Sequence, residues 1–304
     1  MPSSANLRGS LFMVAAMAGF TINDAITKTV TSEMNFGQVM LVRGIFAIAL
    51  IAGLARYQNA IRPLRTLMVM PVALRVAGEV AGTIFFLAAI THLPLANTSA
   101  IFQALPLVIT LAAALFFGEP VGWRRWLAIA AGFIGVLIIV RPSAEGFTQF
   151  SLFALMSVMF SALRDLATKR IPPEIPSLFI TLLTIVTVTT AGAVVLTPLG
   201  GWKPMSSASI GLLALAAVLV LVGYQCVIMA MRSGDISAVA PFRYTALLWA
   251  MLLGYLIFGD VPDAPMIAGA SIIVLSGLYT FHRERVRGRS TALAGASGLP
   301  PDGL

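Results

Sequence analysis

Apolar residues are gathered along this chain into ten long runs separated by short polar stretches. The runs cover residues 11–30, 36–55, 74–92, 95–117, 123–140, 151–169, 175–196, 209–231, 238–259 and 264–281. A helix needs about 20 residues to cross a hydrocarbon layer of ~30 Å, and most of the runs have that length. They do not alternate between polar and apolar positions, as the strands of a membrane barrel would. The pattern therefore predicts an all-α integral membrane protein with ten transmembrane helices.

The composition agrees with this prediction and excludes several kinds of chemistry. Of the 304 residues, 59% are apolar and 11% charged, and the mean hydropathy is +0.94. So few charges cannot cover the surface of a water-soluble domain of this size. The one cysteine, Cys226, lies inside an apolar run. This chain alone therefore forms no disulfide and no cysteine-based zinc or redox site.

Basic residues are distributed unequally between the two sets of loops, and this predicts the orientation. If both ends are cytoplasmic, that side carries Arg8, Arg56, Arg62, Arg65, Arg124, Arg125, Lys169, Arg170, Arg232, Arg283, Arg285, Arg287 and Arg289. The opposite side carries only Arg141 and Lys203. By the positive-inside rule we expect cytoplasmic N and C termini. The net charge of +8 is then a topology signal, so no nucleic-acid partner is expected.

Two unrelated motifs recur at the same displacement of 141 residues. Asp24-Ala25-Ile26-Thr27-Lys28 in the first run matches Asp165-Leu166-Ala167-Thr168-Lys169 in the sixth. Phe117-Gly118-Glu119, after the fourth run, matches Phe258-Gly259-Asp260 after the ninth. The shared displacement indicates that the chain is an internal duplication.

The duplication predicts two inverted halves. We place a five-helix repeat at 8–141, a second at 149–284, and a disordered cytoplasmic tail rich in Gly, Ser, Pro and Arg at 285–304. Five crossings reverse the direction of the chain, so the second repeat is upside down relative to the first. Inverted repeats are typical of alternating-access transporters, whose substrate site lies near the midplane where the halves meet.

Ionisable residues inside the runs are the first candidates for that site, because each costs at least ~2.5–3.5 kcal/mol to insert. They are Asp24, Lys28, Arg43, Arg75, Glu79, Arg164, Asp165 and Arg243. The structural interpretation pairs neighbours four residues apart on one helix face. The pairs would be Asp24 with Lys28, Arg75 with Glu79, and Asp165 with Lys169.

Charges that the duplication does not reproduce favour a functional role. Arg43, Arg75, Glu79 and Arg243 correspond, at the displacement of 141, to Thr184, Ala216, Val220 and Phe102. A packing role would more readily persist in both halves. We therefore expect contact with substrate or a coupling ion, more for Glu79 and Arg243 than for Arg43, which also suits an internal salt bridge.

Two prolines mark interruptions at matching places in the fourth and ninth runs. Pro106 and Pro241 remove backbone hydrogen bonds and free carbonyl groups that can face a cavity. Polar or aromatic residues that could line it are Asn23, Gln103, Tyr224, Gln225, Tyr244 and Trp249, for which lipid-facing or packing roles are the alternative. The full set of predicted substrate-binding or coupling residues is Asp24, Arg43, Arg75, Glu79, Gln103, Asp165, Gln225, Arg243, Tyr244 and Trp249.

Enzymatic function is disfavoured by the residue types available. His92 and His282 are the only histidines, both near the ends of apolar runs, and no cluster with metal-ligand or catalytic-triad spacing accompanies them. The chain also lacks a Gly-x-x-x-x-Gly-Lys phosphate loop. We therefore expect no catalytic residue, metal or cofactor, and a secondary carrier or passive facilitator rather than an ATP-driven pump.

Several segments together resemble the EamA branch of the drug/metabolite transporter superfamily, over residues 8 to about 284. They are Leu93-Pro94-Leu95-Ala96, Phe117-Gly118-Glu119, Gly132 and Gly135, and Ala240-Pro241-Phe242-Arg243-Tyr244. Other details are similar to the bacterial riboflavin and S-adenosylmethionine uptake transporters. These are Asn23-Asp24 with Lys28, Arg43, Leu74-Arg75, Asp165, the Pro-Phe-Arg-Tyr of the ninth run, and Pro262-Asp263.

The resemblance implies a multi-pass transporter of the bacterial inner membrane, with the bilayer and a small metabolite as partners and a homodimer left open. The five intramembrane bases against three acids favour a neutral or anionic substrate over a permanent cation. Riboflavin is uncharged and offers a flat face on which Trp249, Tyr244 or Phe242 could stack. We rank riboflavin uptake first, before S-adenosylmethionine uptake and before export of amino acids or other metabolites.

Overall fold

The computed structural model describes residues 4–117, 122–141, 148–233 and 236–297, which form helices joined by short turns. The helices are α1 (Ser4–Val30), α2 (Phe36–Tyr57), α3 (Met70–Ile90), α4 (Leu95–Phe102), α5 (Leu105–Phe117), α6 (Trp123–Val140), α7 (Gln149–Thr168), α8 (Ser177–Leu196), α9 (Ser207–Ser233), α10 (Ile236–Val239), α11 (Thr245–Phe258) and α12 (Ala264–Ser297). Two 3-10 segments, Leu64–Leu67 and Ala240–Tyr244, lie between helices.

Membrane-length helices account for most of the described ranges. Within them, nine helical segments are long and apolar enough to cross a bilayer. The fourth, Leu95–Phe116, is made by α4 and α5, and the ninth, Ala240–Phe258, by the second 3-10 segment with α11. α12 supplies a tenth apolar stretch, the shorter Ala264–Thr280. The predicted all-α membrane fold with ten crossings is confirmed.

Packing between the helices follows the duplication. α1 packs on α9 and α3 packs on α7, and the displacement of 141 residues converts one of these contacts into the other. α2 packs on α8, α4 on α11 and α6 on α12, so each of these helices meets its own counterpart. This is the arrangement of two inverted five-helix repeats around a pseudo-two-fold axis.

Side-chain caps determine where several helices begin. Asn35 precedes α2 and accepts a hydrogen bond from the backbone N–H of Gln38 at 3.0 Å. Asp263 precedes α12 and accepts from the backbone N–H of Met266 at 2.9 Å. Such caps satisfy amide groups that a helix leaves without partners at its first turn.

Small residues let helices from the two halves approach closely. A Cβ added to Gly37 on α2 would lie 2.8 Å from the backbone nitrogen of Leu196 on α8, and one on Gly192 would lie 2.6 Å from the Cβ of Met40. Lipid provides no hydrophobic drive for helix association, so backbone-to-backbone packing of this kind stabilises the pair.

The predicted interruptions are present in the fourth and ninth crossings. α4 ends at Phe102 and α5 begins at Leu105, one residue before Pro106. In the ninth crossing the 3-10 segment contains Pro241. Gln103 joins the two interruptions, because its Nε2 donates a hydrogen bond to the carbonyl oxygen of Arg243 at 3.2 Å.

The end of the chain differs from the expectation for residues 285–304. The backbone of α12 remains helical to Ser297, and residues 298–304 lie outside the described ranges. This stretch is rich in alanine and arginine, which favour helix, and has no proline before Pro300.

Candidate functional site

The first half of the chain contributes a hydrogen-bonded group of polar residues from α1 and α2. Arg43 Nη1 donates to Asn23 Oδ1 at 3.1 Å, and Asn23 Nδ2 donates to Asp24 Oδ1 at 3.0 Å. Asn23 is 5% exposed, while Asp24 and Arg43 are partly buried. The amide thus links an arginine on one helix to an aspartate on the other, within the membrane-spanning part of both.

A second charged group joins the two halves, between α3 and α7. Arg164 Nη1 donates to Glu79 Oε2 at 3.3 Å, and its Nε donates to Asp165 Oδ1 at 2.8 Å. The helices come together here because a Cβ on Gly78 would lie only 2.8 Å from the carbonyl oxygen of Phe160. Gly78 therefore allows the backbone contact that brings Glu79 to Arg164.

These two groups are electrostatically connected through Glu79, which also acts on Arg43. The result is a row of alternating charge that we call the charge row: Asp24, Arg43, Glu79, Arg164 and Asp165. Inside a membrane, where water does not screen the charges, such alternation offsets part of the cost of burying each ion. The row begins in the first repeat and ends in the second.

Arg75 and an aromatic group lie beside the charge row. Arg75 Nη1 donates to the hydroxyl of Thr184 on α8 at 2.6 Å. The Tyr224 hydroxyl interacts electrostatically with Glu79 and Arg164, among other groups. Its ring meets Phe20 edge to face, with centroids 5.2 Å apart.

A second aromatic pair lies at the contact of α3 with α7. Phe85 and Phe160 stack with ring centroids 5.6 Å apart and planes 6° apart. Phe85 also borders a groove of apolar side chains between α3 and α8 that includes Val76, Val80 and Leu183. The centre of the protein therefore combines paired charges with exposed aromatic surface, the combination that orients a flat polar molecule.

The ion pairs expected between neighbours on one helix are replaced by contacts between helices. Glu79 pairs with Arg164 rather than Arg75, which turns to α8. Asp165 pairs with Arg164 rather than Lys169. Spacing along a helix places two side chains on one face, but a neighbouring helix on that face competes for them.

Lys28 likewise does not serve Asp24. Its ammonium group donates to the carbonyl oxygen of Leu93, lies 4.0 Å from Asp260, and lies 5.1 Å from the ring centroid of Phe258. These contacts place Lys28 at the ends of α1 and α11, away from the charge row.

The structure therefore brings five of the ten predicted site residues together and places the others elsewhere. The five near one another are Asp24, Arg43, Arg75, Glu79 and Asp165. The other five are Gln103 and Arg243 at the helix interruptions, Gln225, Tyr244 and Trp249. Arg243 and Gln225 are exposed.

Tyr244 and Trp249 take part in packing. Tyr244 is 7% exposed and lies directly against Gly277 of α12. Trp249 packs against a buried cluster that includes Met13 and Ala16 of α1. Neither ring is placed as the stacking surface that the sequence suggested.

Arg164 is the residue that the sequence interpretation missed. It was counted among the intramembrane charges but not among the site residues. Its counterpart at the displacement of 141 is Asn23, so the criterion that selected Glu79 and Arg43 also applies to it. Applied to every intramembrane charge, that criterion would have found Arg164.

The charge balance at the centre differs from the count over the whole sequence. The charge row and Arg75 together hold three carboxylates and three guanidinium groups, since Lys28 and Arg243 lie elsewhere. Over the described residues no three His, Cys, Asp or Glu side chains are grouped as metal ligands would be. The arrangement suits binding of a polar molecule with little net charge.

Comparison with known proteins gives a family and several relatives. The family described as the EamA-like transporter family matches residues 7–141 and 149–281. A riboflavin transporter of Rhizobium johnstonii is 28% identical over 293 residues, which cover 93% of this chain and 94% of the relative. An S-adenosylmethionine uptake transporter of Rickettsia conorii is 24% identical, with 92% and 94% covered.

Export is also represented among the relatives. A pseudopaline exporter of Pseudomonas aeruginosa is 27% identical, and the match covers 88% of this chain and 94% of the exporter. A solved crystal structure matches with a TM-score of 0.56 at 18% identity, covering 94% of this chain and 99% of the other. That likeness concerns the fold alone.

Proposed function

Since this chain belongs to the EamA-like transporter family, we propose that it is a carrier of the bacterial inner membrane that takes up riboflavin by alternating access. Membership makes it a multi-pass membrane transporter of the drug/metabolite transporter superfamily. Two of its relatives, from Rhizobium johnstonii and Vibrio cholerae, are named riboflavin transporters, at 28% and 29% identity.

The charge row is the observation that supports this substrate. Its acids and bases balance once Arg75 is included, so an uncharged molecule enters without leaving net charge uncompensated. A permanent cation such as S-adenosylmethionine would favour a site with excess carboxylate. Riboflavin also needs a flat apolar contact, for which Phe20 with Tyr224 and Phe85 with Phe160 are the nearest aromatic pairs.

We assign the substrate-contacting roles to Arg43, Glu79, Arg164 and Tyr224, whose polar groups can meet the hydrogen-bonding edge of the ring system. Asp24 and Asp165 hold Arg43, through Asn23, and Arg164 in place. Because the row includes both repeats, a substrate bound there contacts both halves and can respond to their relative movement.

The direct test is growth of a bacterial strain that neither makes riboflavin nor has an importer. The wild-type chain should restore growth on micromolar riboflavin, and vesicles from these cells should take up the labelled vitamin. Arg164→Ala should abolish rescue at equal membrane abundance. Arg124→Ala is the matched control, because Arg124 is an exposed arginine beside Trp123 at the start of α6.

Failure of rescue by a well-expressed wild-type chain would overturn the riboflavin proposal. Labelled S-adenosylmethionine uptake in the same vesicles is then the next assay, followed by efflux of amino acids and metallophore-like metabolites. Rescue by the Arg164→Ala variant would instead retain the substrate and remove Arg164 from the site.

A further inference from the structure

The two sequence motifs repeated at a displacement of 141 residues meet each other in the fold. Lys28 ends the first copy of the Asp-x-x-Thr-Lys motif, and Phe258 and Asp260 belong to the second copy of the Phe-Gly-acid motif. The proposed binding site uses neither Lys28 nor Asp260. Their contact therefore calls for an explanation of its own.

Lys28 connects three parts of the molecule at one end of the helix bundle. Its ammonium donates to the carbonyl oxygen of Leu93, in the turn between α3 and α4, and lies 4.0 Å from Asp260 Oδ2. It also lies 5.1 Å from the ring centroid of Phe258, the last residue of α11. The contact thus links the end of α1 to parts of both repeats.

Gly259 explains why the motif has a glycine between the aromatic and the acidic residue. It ends α11 in the left-handed conformation, with φ of +70°. The turn lets the backbone N–H of Asp260 reach the carbonyl oxygen of Gly254 at 3.0 Å. A residue with a side chain adopts this conformation only at a cost, so glycine is needed to hold Asp260 in this position.

The ion pair is buried but incompletely satisfied. The Lys28 and Asp260 side chains are 15% and 30% exposed. The Asp260 Oδ2 atom is buried without a hydrogen-bond partner, and the lysine at 4.0 Å is its neighbouring charge. A carboxylate oxygen left in this way is costly, so the contact is weaker than a fully hydrogen-bonded pair. Such a contact can break and re-form during a transport cycle.

We propose that Lys28, with Asp260, Phe258 and the Leu93 carbonyl, forms a gate that closes one end of the central site and opens in each transport cycle. The inference rests on alternating access, the mechanism proposed above, but not on riboflavin as the substrate. The structure accordingly represents the state in which this end is closed. Lys28 and Asp260 are positioning residues that do not touch the substrate.

Access of a reagent to the central site tests the gate without any substrate. In a Cys226→Ser background, Tyr224→Cys places a reactive thiol beside the charge row, where Tyr224 is 51% exposed. A membrane-impermeant thiol reagent is added separately to each face of oriented vesicles. From the face that holds Lys28, Lys28→Ala should speed labelling by about fivefold, the factor expected for losing roughly 1 kcal/mol of ion-pair coupling.

The charge-swapped double variant Lys28→Asp with Asp260→Lys should return labelling toward the starting rate. The matched control is the ion pair between Arg141 and Asp263, which joins the end of α6 to the start of α12 and is more exposed, at 41% and 51%. Arg141→Ala should leave the labelling rate unchanged. Equal labelling in the Lys28→Ala and parent chains would overturn the gate.

Cross-linking supplies a second criterion. Lys28→Cys with Asp260→Cys, joined by a bifunctional thiol reagent as long as a lysine side chain, should block transport until the link is cleaved. The same link between Arg141→Cys and Asp263→Cys should leave transport intact. Full transport with the gate cross-linked would overturn the proposal. If the parent chain carries no riboflavin, the uptake proposal fails while the labelling rates still decide the gate.

Discussion

At the scale of single residues, the central feature is Glu79, a carboxylate placed between arginines from different repeats. Arg164 binds it directly at 3.3 Å, and Arg43 acts on it electrostatically. Each arginine has a further acidic neighbour, in Asp165 and in Asp24. Removing one member therefore leaves a buried charge without its partner, which costs more than the pair contributes when intact.

Arg164→Ala should abolish uptake, because it leaves Glu79 and Asp165 uncompensated inside the membrane. The cost of several kcal/mol expected for breaking a buried pair corresponds to a loss of at least about a hundredfold. Initial uptake rates, normalised to the amount of protein in the membrane, measure it. Arg164→Lys should retain part of the activity, because the charge remains. Loss of Arg164 without any decrease in uptake would contradict the role.

Glu79→Gln tests coupling to protons. If the Glu79 carboxylate carries the coupling proton, the variant should lose accumulation against a gradient but keep substrate exchange. The measurement compares net uptake driven by an imposed pH gradient with counterflow at equal pH on both sides. Unchanged accumulation in this variant would remove Glu79 from the coupling mechanism.

At the scale of helices, close contacts and caps decide how the elements fit together. The contact of α2 with α8 depends on Gly37 and Gly192, since a Cβ on either would meet the backbone or Cβ of the other helix within 3.0 Å. The start of α12 depends on Asp263, which is outside the membrane-spanning segments and caps the helix through Met266.

Gly37→Ala should destabilise the folded protein by about 1–3 kcal/mol, because the added methyl group forces α2 and α8 apart. The melting temperature of detergent-purified protein measures the effect. Gly53→Ala, on the same helix, is the control, since a Cβ there would meet nothing within 4 Å. Equal melting temperatures for the two variants would show that the contact contributes little.

Asp263→Ala should destabilise the start of α12 by about 1 kcal/mol through loss of the cap. Hydrogen bonds from the Met266 amide and from Arg141 lower the pKa of the Asp263 carboxyl below its ordinary value. A lowered pKa stabilises the folded state above the ordinary pKa of aspartate, about 3.9. That contribution is lost as the pH falls through the lower folded-state pKa. The difference in melting temperature between wild type and variant should therefore be constant from neutral pH to about 5 and shrink toward pH 3.

At the scale of the whole molecule, the pseudo-two-fold axis relates the contacts that hold the halves together. The paired helices are the same in both halves, whereas the charges at the centre differ between them. This combination gives a symmetric framework around an asymmetric site. Such a framework can exchange conformations between the repeats while the site keeps one preferred substrate.

The orientation of this framework is predicted from loop charge. With thirteen basic residues on one side against two on the other, both termini should be cytoplasmic. A fluorescent protein that folds only in the cytoplasm should shine when fused to the C terminus. A periplasm-dependent phosphatase fused there should remain inactive, and an active one would reverse the orientation.

Features that depend on local composition were predictable. The ten crossings follow from the lengths of the apolar runs, and the inverted repeat follows from motifs at one displacement. The interruptions at Pro106 and Pro241 follow from the missing backbone donor. Asp24, Arg43, Arg75, Glu79 and Asp165 could be selected as central candidates because an intramembrane charge requires a partner.

The partners themselves were decided by tertiary structure. Spacing of four residues suggested Arg75 with Glu79, yet Glu79 pairs with Arg164 because Gly78 brings α7 against α3. In the same way Lys28 reaches Asp260, more than two hundred residues away, because α1 and α11 end at the same place in the bundle. The sequence by itself determined which segments enter the membrane and which charges need compensation, since hydrophobicity and charge are properties of each residue. Only the rotation and approach of packed helices decided which charges compensate one another, because that depends on backbone contacts between segments far apart in the chain.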